Sequence, residues 1–175
     1  MKCPLDFIPS RKGWRVVSGP SLADSEFANC TKAIEGVEYA LGRCVKMALY
    51  SCETDEAAAA AYSQGRLDLA SESMWDLISE NTIGDASATY VGQDTGGAMM
   101  CAVVFRQGSY GAAVLATNNV GKYHVKDATD WAVAIRGKMV PTQFLRSVLL
   151  PTVVGVAVFA GAIGGLGWLV SKCKR

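Results

Sequence analysis

Histidine is almost missing from this chain: His124 is the only one among 175 residues. The six cysteines, at 3, 30, 44, 52, 101 and 173, include no Cys-x-x-Cys pair. Without a second imidazole or a close thiol pair, no zinc-ligand spacing can be assembled. An excess of charge of one sign is also lacking. Seventeen basic residues against sixteen acidic ones leave a net charge of +1. That gives no polyelectrolyte surface, so nucleic acid is not an expected partner. No Gly-x-Ser-x-Gly or similar nucleophile motif occurs, and His124 stands between Tyr123 and Val125 with no nucleophile beside it. The chain reads as non-catalytic, with no cofactor of its own. Residues 1–10 lack the apolar run of a secretory signal. Either the protein is anchored through its tail after synthesis, or a targeting segment precedes Met1.

Charge is missing most completely from residues 148–170, where no acidic or basic side chain occurs. A helix rising ~1.5 Å per residue needs roughly twenty apolar residues to cross a ~30 Å hydrocarbon layer. Arg146 precedes this run, Lys172, Lys174 and Arg175 follow it, and Trp168 falls at interfacial depth. One transmembrane helix is expected over 148–170, after a juxtamembrane stretch 141–147 and before a basic tail 171–175. Ala157, Gly161 and Gly165 recur every four residues, with Gly164 adjacent, so a second helix could approach closely along that ridge. The dense basic cluster after the span places the tail on the positive-inside face. The domain then stands on the non-cytosolic side, whether lumenal, intermembrane or extracellular.

Residues 1–13, with Pro4, Pro9 and the pair Arg11-Lys12, read as an extended arm before an α/β soluble domain over 14–140. A strand over 14–17 is stopped by Gly19-Pro20. Ser21 or Ser25 can cap a helix on which Phe27, Cys30, Ile34, Val37 and Leu41 recur at threes and fours. Residues 45–50 form the next strand. Thr54 caps a second helix with Asp55 and Glu56 in its first turn, Ala57 to Ala61 as strong helix formers and Gly65 as its end. A strand over 67–70, a short helix over 74–78, and strands over 88–91 and 99–106 follow. Segments 112–116 and 131–136 fit either a strand or a helical turn. The alternation predicts parallel strands joined by right-handed crossovers, with an antiparallel addition, hence a mixed sheet.

Several residues are candidates for chemistry. Cys30, Cys44 and Cys52 lie near enough to pair where thiols are oxidised, and otherwise suit a core as small hydrophobes. Asn29-Cys30-Thr31 is a glycosylation sequon. Glu72 and Asp76, four apart, would share one face of a helical turn as an acid-base or cation pair, or simply a solvated face. Asp94 with Gly96-Gly97 fits an anion-binding loop or a hairpin.

Local phrases carry a resemblance. Trp14-Arg-Val-Val-Ser18 resembles the opening strand of a transferrin lobe, and Phe27-Ala-Asn-Cys-Thr-Lys32 its cysteine-bearing first helix. Ala57 to Asp68 is similar to the second helix running into the next strand, and Met99 to Arg106 to a later strand of that lobe. The resemblance covers roughly residues 14–110, the first part of one lobe of the transferrin family, itself related to type 2 periplasmic binding proteins. It implies a single periplasmic-binding-like subdomain. Glu72 or Ser73 stands where the family has its aspartate ligand and Met99 where a tyrosine ligand begins, so the resemblance implies a vestigial, metal-free iron site.

The expected function is a non-catalytic, single-pass accessory subunit of a multi-protein membrane complex. Respiratory or photosynthetic complexes, in a mitochondrial inner or thylakoid membrane, are favoured on prior grounds. Its partners would be other subunits, met through the span and the domain, together with the bilayer and the lipids or pigments of the host complex. The alternatives are a membrane-tethered transferrin-like module for a metal or small anion, and a receptor or adhesion ectodomain.

Overall fold

Strand alternation, not a helical repeat, governs the chain from Cys30 to Cys52. In the computed structural model, which describes residues 2–39, 42–118 and 124–140, seven strands form one sheet. They are β1 (Arg15–Ala23), β2 (Cys30–Tyr39), β3 (Arg43–Cys52), β4 (Trp75–Glu80), β5 (Ala86–Gln93), β6 (Met99–Gln107) and β7 (Tyr110–Asn118). The order is β1-β2-β3-β7-β6-β5-β4 and every pairing is antiparallel. Among the described residues two α-helices complete the α/β fold: α1 (Asp55–Ser71) and α2 (His124–Met139). Neither is long and apolar enough to cross a membrane, and the expected span at 148–170 lies outside the described residues. The chain divides into two units, Met1–Met139 and Val140–Arg175, and the seven strands and both helices belong to the first.

The parallel strands and mixed sheet expected from sequence are corrected here. The β3–α1–β4 succession is a genuine crossover, but it delivers β4 to the far edge of the sheet instead of beside β3. Four strand spacings of about 4.8 Å make roughly 19 Å, and the 17 residues of α1 at ~1.5 Å each cover about 25 Å. The helix is long enough for that traverse. From the edge the chain returns as the meander β4-β5-β6-β7, and β7 closes antiparallel on β3.

Three local assignments change as well. The helix expected from Phe27 is β2, because Ala33 and Val37 are buried facing Leu49 and Val45 while Ile34 and Gly36 face the other side. The spacings of three and four there were coincidental with a period of two. Helix α1 continues through Gly65 and takes in the expected strand 67–70, since Leu69 finds a packing partner in the sheet face below. Of residues 74–78, Met74 lies in a turn and the rest belong to β4, paired with β5 through Trp75↔Gly92 and Leu77↔Tyr90. Of the elements on which the transferrin-type resemblance rests, the strands at Trp14 and Met99 and the helix from Ala57 are of the kind it implies, whereas the Phe27 segment leads into a strand and no strand directly follows the Ala57 helix at 67–70. The expected Thr54 cap is present, its hydroxyl accepting from the Ala57 amide at 3.1 Å.

Helix α2 seals one face of the sheet. His124, Asp127, Ala128, Trp131, Ala132, Ile135 and Met139 form its buried stripe, meeting Met47, Leu49, Val103, Phe105 and Val114. The segment read as an extended arm joins this core through a 3-10 turn, Pro4–Phe7, with Phe7 fully buried. Arg43 clamps Asp127 with two hydrogen bonds, at 2.9 and 2.5 Å, and its guanidinium lies 4.6 Å from the Tyr39 ring centre and 5.5 Å from that of Trp14.

Candidate functional site

The opposite face of the sheet is built from smaller residues, and α1 rests on only part of it. Across one row run Ile34, Ala48, Ala113, Val104 and Ala88, and across the next Gly36, Lys46, Leu115, Ala102 and Tyr90. Ala48, Ala113 and Ala102 within these rows leave space under a helix that is itself alanine-rich, with Ala58 and Ala61 buried against the sheet. The result is a groove of about 610 Å³, in the range of small-molecule sites. Tyr62, Gly65 and Leu69 supply its helical wall, and Trp75 and Phe27 close parts of its margin.

One end is organised around Tyr50. Phe27, from the β1–β2 connection, packs edge-on against it at 5.1 Å between ring centres. The Tyr50 hydroxyl donates to Glu26 Oε1 at 2.7 Å, and Lys32 Nζ donates to Glu26 Oε2 at 2.7 Å while lying 5.9 Å from the Tyr50 ring centre. Burial holds the Tyr50 phenol far above its usual range, and the adjoining Glu26 carboxylate adds to that rise. Burial pushes Glu26 upward, but the hydrogen bonds from Lys32 and Tyr50 outweigh it and leave the carboxyl below its usual value. Charge at this end is therefore neutralised within the cluster.

Cys30 and Cys52 sit beside it, directly opposite one another on β2 and β3, and are joined as a disulfide. Of the three candidates for pairing, Cys44 remains a free thiol. Cys101, buried in the face that α2 covers, has its thiol pushed up to about 12 by burial. Asn29 of the sequon is exposed next to the disulfide.

The other end of the groove has a different character. Lys46, four residues from Tyr50 along β3, rises from the floor as an exposed side chain with no ion-pair partner among the described residues. Ser18 lies over Gly36 beside it, so close that a Cβ at position 36 would come within 2.4 Å of its hydroxyl oxygen. Asp68, on the helical wall, accepts a hydrogen bond from Gln64 at 2.7 Å.

The remaining sequence candidates are dispersed. Glu72 ends α1 and accepts from the Trp75 indole at 3.1 Å, while Asp76 is a strand residue of β4, so the two do not share a helical turn. Ser73 lies in the turn between them, and Met99 falls on the α2 side of the sheet by its alternation with Cys101 and Val103. Glu72, Ser73 and Met99 are therefore not gathered into one site. Among the described residues no group of three or more His, Cys, Asp or Glu could hold a metal ion. Asp94 takes the Gly96 and Ala98 amides itself, each at 2.8 Å, which makes that loop a hairpin turn. His124 opens α2 with its Nδ1 buried and without a partner among the described residues. Ala157, Gly161, Gly164 and Gly165 lie outside those residues.

Sequence reasoning did not single out Tyr50, Lys46, Tyr62 or Trp75. The usable signal was the alternation of small residues in β3, β6 and β7, but it becomes a groove only once those strands are known to be neighbours.

No protein family matches the sequence, and no curated protein matches it. Among solved structures the chain is similar to LpqN, described as involved in cell envelope biogenesis of Mycobacterium tuberculosis. The identity is 13% and the TM-score 0.36, over 74% of this chain and 79% of that one. Overlap of that degree assigns neither fold nor function.

Proposed function

We propose that the chain is a single-pass membrane protein whose α/β domain stands on the non-cytosolic side and binds an apolar small molecule in the groove beneath α1. The observation that carries this reading is the groove itself: about 610 Å³, floored by alanine, isoleucine and leucine and walled by Tyr62, Leu69 and Trp75. The role is binding, not catalysis. The Glu26–Lys32–Tyr50 cluster supports that assignment, because its groups are satisfied by one another. The side of the membrane is supported by the Cys30–Cys52 disulfide, which persists in oxidising compartments, and by the basic residues after the expected span.

The test of the groove uses the full chain in lipid nanodiscs and the uncharged dye N-phenyl-1-naphthylamine. Energy transfer is read as the component lost in Trp75→Phe, because dye dissolved in the lipid can also accept from Trp168 of the expected span; that component is expected because Trp75 lines the groove, and Gly65→Leu should abolish it by filling the wall. Equal transfer in the variant would place the dye elsewhere and remove the basis of the reading. Topology is tested with a membrane-impermeant maleimide on sealed vesicles, where Cys3, exposed and free, should react from the domain side.

A second reading, an accessory component of a larger membrane complex, is favoured by a different observation. Val16, Val17 and Leu22 on edge strand β1 are each more than half exposed, and Leu77 and Ile78 on edge strand β4 are about half exposed. Partner subunits meeting those edges and the Ala157–Gly161–Gly165 ridge would cover them. Purification in mild detergent should then retain stoichiometric partners in the wild type and lose them in Gly161→Leu. Partners retained at wild-type yield would remove the ridge as a docking surface.

A further inference from the structure

Resting on the reading of the groove as an apolar binding site, we infer that its ligand is an amphiphile with a single alkyl chain and an anionic head, the head held by Lys46 and Ser18. The two ends of the groove differ in chemistry. At the Tyr50 end the charges cancel: Glu26 is taken by Lys32 and by the Tyr50 hydroxyl, and the Phe27 and Tyr50 rings face the space. At the Lys46 end a cation stands over an apolar floor with no carboxylate partner among the described residues. Asp68, on the helical wall, accepts from the uncharged Gln64 amide and forms no ion pair with Lys46 among the described residues.

An anion is therefore complementary at one end only, and a second charge at the other end would be buried against aromatic rings. The row of Lys46 and the row of Tyr50 are four residues apart on one strand, about 14 Å. That distance between head site and aromatic end suits an extended alkyl chain and is far more than a small inorganic anion needs. Between them the floor offers Ala48, Ala113 and Leu115, with no charged side chain. Glycine at position 36 keeps the head site open, because any side chain there would meet Ser18.

Carboxylate and phosphate heads share this chemistry, so the test begins with a carboxylate and then compares sources. The full chain is reconstituted in nanodiscs of zwitterionic lipid, and diazirine-bearing tetradecanoate or the matching uncharged tetradecanol is added in trace amount and photolysed. The acid should label peptides containing Leu115 and Leu69 about tenfold more than the alcohol does, the ratio expected of a charge-assisted hydrogen bond. Lys46→Gln should erase the preference and Lys46→Arg should keep it. With shorter homologues, corrected for their partition into the lipid, affinity should rise about fourfold per added methylene until the chain reaches Phe27 and Tyr50, and then stop rising. An excess of monoacyl phosphate that displaces the label would identify a phosphate-headed lipid as an equal source.

Groove labelling that is equal for acid and alcohol and indifferent to Lys46→Gln overturns the anionic head while leaving the apolar site standing. Labelling confined to peptides outside the groove, and unchanged in Gly65→Leu, overturns both. Gly65→Leu places a better helix former in α1, and retention of its near-ultraviolet circular dichroism shows that a lost label is not lost folding.

Discussion

Glu35 occupies β2 between Ala33 and Val37, on the face that α2 and the N-terminal turn cover, opposite Met47. It is 6% exposed, and its Oε2 has no hydrogen-bond partner among the described residues. Burial raises its carboxyl above the ordinary value of 4.5. Below that pH, Glu35 is protonated in both folded and unfolded chains and contributes nothing pH-dependent. As the pH rises past 4.5 the unfolded chain releases this proton while the folded chain retains it. The folded state then binds more protons, so stability falls with rising pH until the folded carboxyl also ionises.

Two substitutions separate the components of that effect. Glu35→Gln keeps the polarity and removes the titration, so it should match the wild type near pH 4 and exceed it at pH 7. Glu35→Met removes the unsatisfied polar group altogether and should be more stable throughout. A buried polar group without a partner costs about 1–3 kcal/mol, which for a domain of this size is a rise of roughly 3–10 °C in Tm. The assay is thermal unfolding from pH 4 to 8, followed by the near-ultraviolet circular dichroism of Trp14 and Trp131, which meet edge to face with ring centres 5.4 Å apart. A Gln variant less stable than wild type at pH 7, or a gap that does not change with pH, would show an ionised and partnered Glu35 and refute the reasoning.

Removing the Cys30–Cys52 bond by replacing both residues with alanine should cost about 3 kcal/mol in the chain-entropy model for a separation of 22 residues, read from denaturant unfolding. A loss below about 1 kcal/mol would mean that the hairpin β2–β3 already restrains the unfolded chain. Arg43→Ala should destabilise by about 3–5 kcal/mol, because it strands Asp127, whose side chain is 6% exposed; adding Asp127→Ala should recover part of that loss. Additive losses in that cycle would deny the coupling. Gly65→Ala should stabilise by about 0.5–1 kcal/mol, since the new methyl group meets only Val104 at 4.0 Å and a mid-helix glycine is replaced by the best helix former. A decrease would show that α1 lies closer to the sheet than this spacing allows.

Elements whose signals are local were legible in the sequence. Thr54 with Asp55, Glu56 and the alanine run marks the start of α1 whatever the rest of the chain does. The apolar cores of β3 and β6 are strands in almost any context, and Gly96-Gly97 after Asp94 is a turn. What was not legible depends on neighbours. Phe27 to Leu41 satisfies a helical period as well as an alternating one. Only its pairing with β3, pinned by Cys30↔Cys52 and Ala33↔Leu49, selects the strand. Gly65 looked like a helix end because glycine disfavours helix interiors, yet packing of Tyr62 and Leu69 on the sheet carries α1 past it. The strand–helix–strand rhythm was correctly perceived and wrongly converted into parallel neighbours. A crossover fixes the direction of its second strand but not how many positions away it lands. The disulfide was legible as a choice among three cysteines, and register alone decides for Cys52 over Cys44.

The groove itself follows from an asymmetry between the two faces of one sheet. Along β3, β6 and β7 the residues facing α2 are Val45, Met47, Leu49, Cys101, Val103, Phe105 and Val114, with Ala112 and Ala116 the small ones among them, and they share one buried cluster with Trp131, Ile135 and Met139. The alternate residues facing α1 are Ala48, Ala102 and Ala113 at the centre, and the helix that meets them is built from alanine as well. Small against small would close the gap only if the helix could drop onto the sheet along its length. Tyr62, Leu69 and Trp75 stand between α1 and the strands β4 to β6, and they hold the helix off the floor beside them. The space left toward β2 and β3 is thus set by side chains that α1 needs for its own anchoring. Enlarging Ala113 or Ala48 fills volume without lowering the helix, whereas shortening Tyr62 or Leu69 lets the helix collapse at the expense of its hold on the sheet. A domain stabilised chiefly through one sealed face is free to keep the other open for a ligand, and the Lys46 end is where that opening carries charge.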